Sequence, residues 1–236
     1  MYSKLTLLAL PLSQAAVPKP SVNDFPTPFR PDDHRLVIQG EACPSVVGTT
    51  KFNPDTYLGN WFQMAALPFY WSPEEDTCVT AQYYPAPAGS NYDVQVVNSE
   101  RQPTGNRQTS VGKAVINPNQ PGTLGVAFGP ITPTDDMDNY IILDTDNVNY
   151  SYVWSCASYC LLRQCSSSPI LWILNRNHNA PANNVQTQID EALSILVGFG
   201  FSEDAASQVR QNMLITNQSS ETCDAYYQEN QDLTPQ

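Results

Sequence analysis

Between Tyr57 and Arg176 the chain alternates short apolar runs with clusters of Pro, Gly, Asn and Asp. Residues 92–96 read Tyr-Asp-Val-Gln-Val, an apolar–polar alternation that predicts a strand with one buried face. Further strands are predicted over 57–67, 78–84, 108–116, Thr123–Phe128, 140–143, 150–159 and 169–174, all rich in Val, Ile, Thr or aromatic residues. Turn clusters separate them, such as Pro85-Ala86-Pro87-Ala88-Gly89-Ser90 and Asn117-Pro118-Asn119-Gln120-Pro121-Gly122. A succession of short strands of this kind predicts a sandwich or a barrel.

The periodicity then changes. Val185, Ile189, Leu193 and Leu196 recur at helical spacing over 182–197, with Pro181 at the start. Ser202 is a candidate N-cap for a second short helix over 203–213, with Asp204 in its first turn. No helices alternate with the strands, so a parallel α/β sheet is not expected. One helix following a strand series fits a helix laid on the outside of a closed sheet.

The N-terminus is different again. Lys4, the apolar run Leu5-Thr6-Leu7-Leu8-Ala9-Leu10 and the small residues Ser13 and Ala15 predict a secretory signal peptide over 1–15. The run is well short of the ~20 residues of a spanning helix, so an integral membrane protein is not expected. Residues 16–41 carry Pro18, Pro20, Pro26, Pro28 and Pro31 and are expected to be extended or disordered. The expected organisation is therefore a leader, this arm, one domain over 42–224 and a flexible tail over 225–236.

Charge and cysteine content narrow the classes. A formal net charge of −12 argues against nucleic acid and against anionic membrane surfaces. Six cysteines in a secreted, extracellular chain predict disulfides, but spacing alone permits 15 pairings.

Three separated motifs carry a resemblance. They are Gly59-Asn60-Trp61, then Thr145-Asp146 through Tyr150, then Trp172-Ile173-Leu174-Asn175-Arg176. In this order and spacing, over about 43–223, the chain resembles the kernel lipocalins, the group of apolipoprotein D, bilin-binding protein and crustacyanin. The resemblance implies an all-β fold: an eight-stranded antiparallel up-and-down barrel with a C-terminal α-helix packed outside. It implies that Gly59, Trp61, Thr145, Asp146 and Arg176 close the barrel floor, with Arg176 across the Trp61 ring. It also implies the disulfides Cys43–Cys156 and Cys78–Cys223. Cys160 and Cys165 are left to staple their own loop, or to link chains.

The implied cavity follows from strand parity. With Cys156 outward, Val153, Ser155 and Ala157 face inward, while Tyr150, Tyr152 and Trp154 face the helix. Ile170, Trp172 and Leu174 share the inward side of the last strand. Tyr83, Val94, Val96 and Asn98 match inward positions of the family pattern. Leu124, Val126 and Phe128 alternate against Gly125, Ala127 and Gly129, and Tyr140 joins the same wall. Asn98 is the polar group expected to orient a ligand. Leu67-Pro68-Phe69-Tyr70-Trp71 is expected as an exposed aromatic loop at the open end. It is open to three roles: a lid, packing on itself, or a surface for a second copy, a lipoprotein or a membrane.

Catalytic signatures are missing from the sequence. His34 and His178 have no evident Ser or Asp partner, and no H-E-x-x-H or C-x-x-C occurs. Asp135-Asp136-Met137-Asp138 lacks EF-hand spacing and reads as an acidic turn. With every cysteine given an implied partner, a pocket-thiol enzyme is disfavoured. Asn149 and Asn217 begin glycosylation sequons. Three functions are consistent with a lipocalin: a carrier of a small hydrophobic ligand (lipid, fatty acid, retinoid or steroid), a carotenoid- or tetrapyrrole-binding chromoprotein, or a secreted inhibitor. No further cofactor and no metal is expected.

Overall fold

The computed structural model describes residues 35–69, 76–161 and 164–229. The leader, the arm as far as His34, and Tyr70 and Trp71 lie outside the described residues. The first elements are β1 (Ile38–Gln39), α1 (Pro54–Tyr57), β2 (Gly59–Ala66), β3 (Thr77–Pro85) and β4 (Val94–Arg101). Then come β5 (Arg107–Ile116), β6 (Thr123–Phe128), β7 (Tyr140–Thr145), β8 (Tyr150–Leu161) and β9 (Gln164–Asn175). The last described elements are α2 (Ala182–Gly198), α3 (Glu203–Asn212), β10 (Leu214–Ile215) and α4 (Ser220–Glu229).

Strands β2 to β9 are neighbours in sequence order, and β9 returns to pair with β2. Phe62 lies opposite Asn175 and Ala66 opposite Trp172, which closes an eight-stranded antiparallel barrel. Closure satisfies the backbone groups that an open sheet would leave at its edges. The thinnest seam is β6–β7, which pairs only at Thr123–Ile141 and Leu124–Tyr140. There the Asn139 amide extends the ladder: its Oδ1 accepts from Val126 N at 2.8 Å and its Nδ2 donates to Val126 O at 2.9 Å.

The segment before β2 and the turns after β3, β5 and β7 gather at one end of the barrel. Asn53 caps α1, accepting from Asp55 N at 3.0 Å, and Tyr57 of that turn packs against Trp61, with ring centroids 4.8 Å apart. Trp61 is fully buried and donates from Nε1 to Tyr57 O at 2.8 Å. The Arg176 guanidinium lies 3.9 Å from the Trp61 ring centroid. It also donates to the carbonyls of Asn60 at 2.7 Å, Tyr57 at 2.8 Å and Leu58 at 2.8 Å. Gly59 has a φ of +103°, a backbone conformation that favours glycine, and a Cβ there would crowd Arg176 Nη1 at 3.1 Å. Thr145 and Asp146 build the adjacent β7–β8 turn. Thr145 Oγ1 donates to Tyr150 O at 2.6 Å, and Asp146 Oδ1 accepts from the amides of Val148, Asn149 and Tyr150. Burial raises the Asp146 carboxyl, but the Asn149 side chain and those amides outweigh it and hold it below its ordinary value.

The outer face carries the second core. Val185, Ile189, Ala192, Leu193 and Leu196 of α2 are buried against Tyr152, Trp154, Leu171 and Ile173 of β8 and β9. Each such aliphatic side chain is worth about 2 kcal/mol when fully buried. Tyr152 also donates to Glu191 on α2 at 2.5 Å. Ser202 caps α3 by accepting from Ala205 N, and is itself held by the Glu41 carboxylate. Three disulfides tie the periphery down: Cys43–Cys156, Cys78–Cys223 and Cys160–Cys165. The last pair sits directly opposite in the β8–β9 hairpin.

Several boundaries differ from the sequence expectation. Tyr57 belongs to α1 and not to the first strand, because Asn53-Pro54 starts a helical turn. β4 runs on to Arg101, and β8 and β9 extend together into a long hairpin. α3 ends at Asn212. The last residues of the expected arm form β1, with Ile38 opposite Ser167. α4 runs through the boundary expected at 224, held by Cys223 and the buried Tyr226.

Replacing Arg176 by Ala removes the stacked charge and three carbonyl contacts, and is expected to lower unfolding free energy by about 2–4 kcal/mol in a denaturant titration. Gly59→Ala is expected to act in the same direction, and an unchanged midpoint for both would contradict the floor described here. Asp146 is held below its ordinary value, so its contribution is present above the usual carboxylate range and is lost as pH falls through the depressed value. The stability gap between the wild type and Asp146→Ala should therefore narrow in acid denaturation below about pH 4.

Candidate ligand-binding site

The inner faces of the strands converge on one apolar cluster. Tyr83, Val94, Val96 and Leu124 are buried in it, and so are Val153 and Leu174. Val126, Phe128, Tyr140 and Trp172 pack against it from above and stay half-buried. Five further residues belong to the cluster: Phe52, Tyr57, Trp61, Ala114 and Ile142. Ile170 is buried on the same face by alternation but does not join the cluster. The opposite parity of β8 and β9 puts Tyr152, Trp154, Leu171 and Ile173 under α2.

Burial differs among the inward side chains. Trp61, Ile142 and Val153 near the floor have no accessible surface to speak of. Asn98, Phe128, Ser155 and Trp172 also face inward yet remain partly accessible, whereas Ile170 and Glu100, nearer the open end, are buried. These inward, partly accessible side chains are the candidate ligand contacts. Phe128 owes its place to Gly112, its partner across β5–β6, since a Cβ on Gly112 would come within 2.8 Å of the Phe128 ring.

Two groups of polar side chains punctuate this apolar wall. The lower one is a tyrosine relay. Tyr83 and Tyr140 share a hydrogen bond of 2.7 Å, Tyr140 and Tyr57 one of 3.5 Å, and Tyr57 donates to Ser151 Oγ at 2.9 Å. Burial raises the pKa of all three phenols, so they stay protonated. Tyr140 and Trp172 stack at 6.4 Å and bring the relay to the ligand wall.

The upper group lies on β4. Asn98 is opposite Ser110, and Glu100 opposite Gln108. Alternation from Val94 and Val96 turns Asn98 and Glu100 inward, while Ser99 between them faces out to Tyr226 of α4 at 3.0 Å. Asn98 Oδ1 is buried and accepts no hydrogen bond. Glu100 is 8% exposed. Burial, reinforced by the charge of nearby Asp76, pushes its carboxyl up to about 7, against a hydrogen bond with Gln108. The same alternation that places Val94, Val96 and Asn98 inward would have identified Glu100 from sequence.

Phe69 corrects an expectation. It is 4% exposed, not displayed on a loop surface, with the Arg35 guanidinium 5.6 Å from its ring centroid. Arg35 of the arm therefore lies against it. His178 stacks with Phe62 and Tyr227 on the outer face, where its Nδ1 meets Gln218 O at 3.1 Å. A cleft of about 460 Å³ lies on that outer side, between His178–Ala180 and 215–219, and is separated from the interior by β2. Asn217 is exposed, as is Asn149, whose Nδ2 donates to Asp146 Oδ2 at 2.6 Å.

Comparison with known proteins agrees with this architecture. A lipocalin-like domain model matches residues 52–199. Apolipoprotein D of Oryctolagus cuniculus is 32% identical over 155 residues, covering 63% of this chain and 76% of the relative. The Lazarillo protein of Schistocerca americana is 32% identical over 153 residues, covering 64% and 67%. Among solved structures, insecticyanin of the tobacco hornworm Manduca sexta superposes with a TM-score of 0.59 at 20% identity, over 80% of this chain and 92% of that one. Lobster apocrustacyanin A1 gives a TM-score of 0.54 at 20% identity, over 78% and 92%. The barrel, its sealed floor and the matching domain together show that the chain belongs to the lipocalin family.

Proposed function

We propose that the protein is a secreted carrier that holds a small hydrophobic molecule, of the lipid, retinoid or steroid kind, in the upper half of the barrel. One observation carries the reading: Phe128, Tyr140 and Trp172 face inward, are only half-buried, and stand above a packed floor. Aromatic walls with a few placed polar groups are the usual make-up of a small-molecule site. The mechanism is reversible burial. A ligand that loses about 300 Å² of apolar surface gains roughly 7 kcal/mol before the costs of immobilisation. No bond is made or broken, and no side chain is required to turn over.

Tryptophan emission tests the reading directly. Trp61 is sealed in the floor and Trp154 lies under α2, so of these only Trp172 borders the ligand space. Retinol is expected to quench emission on titration, and Trp172→Phe to remove most of that quenching while retinol still binds. Absence of quenching by retinol, and of binding of any apolar probe, would sink the carrier assignment.

A further inference from the structure

The upper inner wall has a chemistry that selects among apolar molecules by their polar ends. Asn98 offers a buried acceptor with no partner. One inward position further along β4, Glu100 offers a carboxyl, with buried Asp76 close by and Gln108 bonded to it. An ionised carboxylate only accepts hydrogen bonds. Among the described residues, no strand of the barrel turns a cation toward Glu100. Arg101 donates outward to Thr222 O at 3.1 Å, and Arg107 to Ser99 Oγ at 2.9 Å. Lys113 lies 5.6 Å from the Tyr92 ring centroid, on the face opposite Gly112 and Ala114. Arg176 is spent below the floor, and Arg35 stacks on Phe69.

We propose that Asn98 and Glu100 form a headgroup subsite for an apolar ligand ending in a hydrogen-bond donor, a hydroxyl or an ammonium, and that it discriminates against free carboxylates. The inference rests on the carrier reading and adds the polarity of the cargo. A hydroxyl satisfies Asn98 Oδ1, which is otherwise buried unpaired. An ammonium pairs with Glu100 as well. A fatty carboxylate brings a second negative charge beside Glu100 in a region of low dielectric, where like charges repel strongly. Below this subsite the tail runs past Phe128 toward Tyr140 and Trp172.

Three probes with the same chain and different ends decide the matter: hexadecanol, hexadecylamine and palmitate. Each competes with Nile red, a neutral reporter, on the secreted chain at about pH 8, where Glu100 is charged. The alcohol and the amine are expected to displace the dye at concentrations about tenfold or more below palmitate. Glu100→Gln should bring palmitate to within about twofold of hexadecanol and weaken hexadecylamine, and Asn98→Leu should weaken hexadecanol about tenfold with Nile red still bound. Palmitate matching hexadecanol in the wild type overturns the subsite and leaves a carrier, as does a gap that survives both substitutions. If Nile red itself fails to bind, the carrier reading falls and takes the subsite with it. The two variants act at separate positions, so a folding defect in one leaves the other to decide.

Discussion

The contact between Arg176 and Trp61 is the constraint on which the barrel depends. A closed sheet must be sealed at one end if it is to hold an apolar space, and the sealing groups must bring no unpaired charge into that space. Arg176 meets both demands because its guanidinium stacks on the indole and spends its donors on carbonyls of the chain entering β2. The cation thus faces away from the ligand wall, with Trp61 between. Tyr57 then packs on the upper side of Trp61 and begins the tyrosine relay. Floor and cavity are built from one stack of rings, and each layer fixes the next.

The second constraint is parity. β8 and β9 carry large side chains on both faces, so their alternation serves two cores at once. Trp172 lines the interior while Leu171 and Ile173 lie under α2; Val153 faces in while Tyr152 and Trp154 face out. A slip of one residue would exchange these sets. The Cys43–Cys156 disulfide and the Tyr152–Glu191 hydrogen bond both act from outside to hold the register. The shape of the inner wall is thus partly set by contacts that never touch a ligand.

Legibility followed the range of the forces involved. Thr123–Phe128 was readable to the residue because Leu124, Val126 and Phe128 alternate with small residues, a signal local to six positions. Val185, Ile189, Leu193 and Leu196 announced α2 in the same way. α4 escaped because its anchors are only Cys223 and Tyr226, and its docking depends on a disulfide to β3 that spans 145 residues. Tyr57 was drawn into the strand by the apolar run that follows it, although Asn53-Pro54 marked a helical start. The burial of Phe69 had no local signal, and its contact with Arg35 joins residues far apart in the chain. Inside the barrel, the apolar wall was evident from alternation, whereas Glu100 was hidden by the habit of reading charge as exposed. Its neighbours in phase are Val94, Val96 and Asn98, and phase outranks polarity once a strand is anchored.

That ranking bears on what the cavity recognises. Apolar walls confer affinity with little discrimination, since one methylene more or less changes binding only modestly. Discrimination comes from polar groups that must be satisfied, because an unmet buried acceptor or a doubled charge costs more than a poor apolar fit. In this barrel the described cationic side chains of the strands are directed to the outside, and the polar groups on the inner wall include phenols, hydroxyls, the amides of Asn98 and Gln108, and the Glu100 carboxyl. Phenols and an amide tolerate many partners; the carboxyl does not. The proposed selectivity therefore rests on the Glu100 carboxyl, and the aromatic wall sets how much of an apolar ligand is hidden once its polar end is accepted.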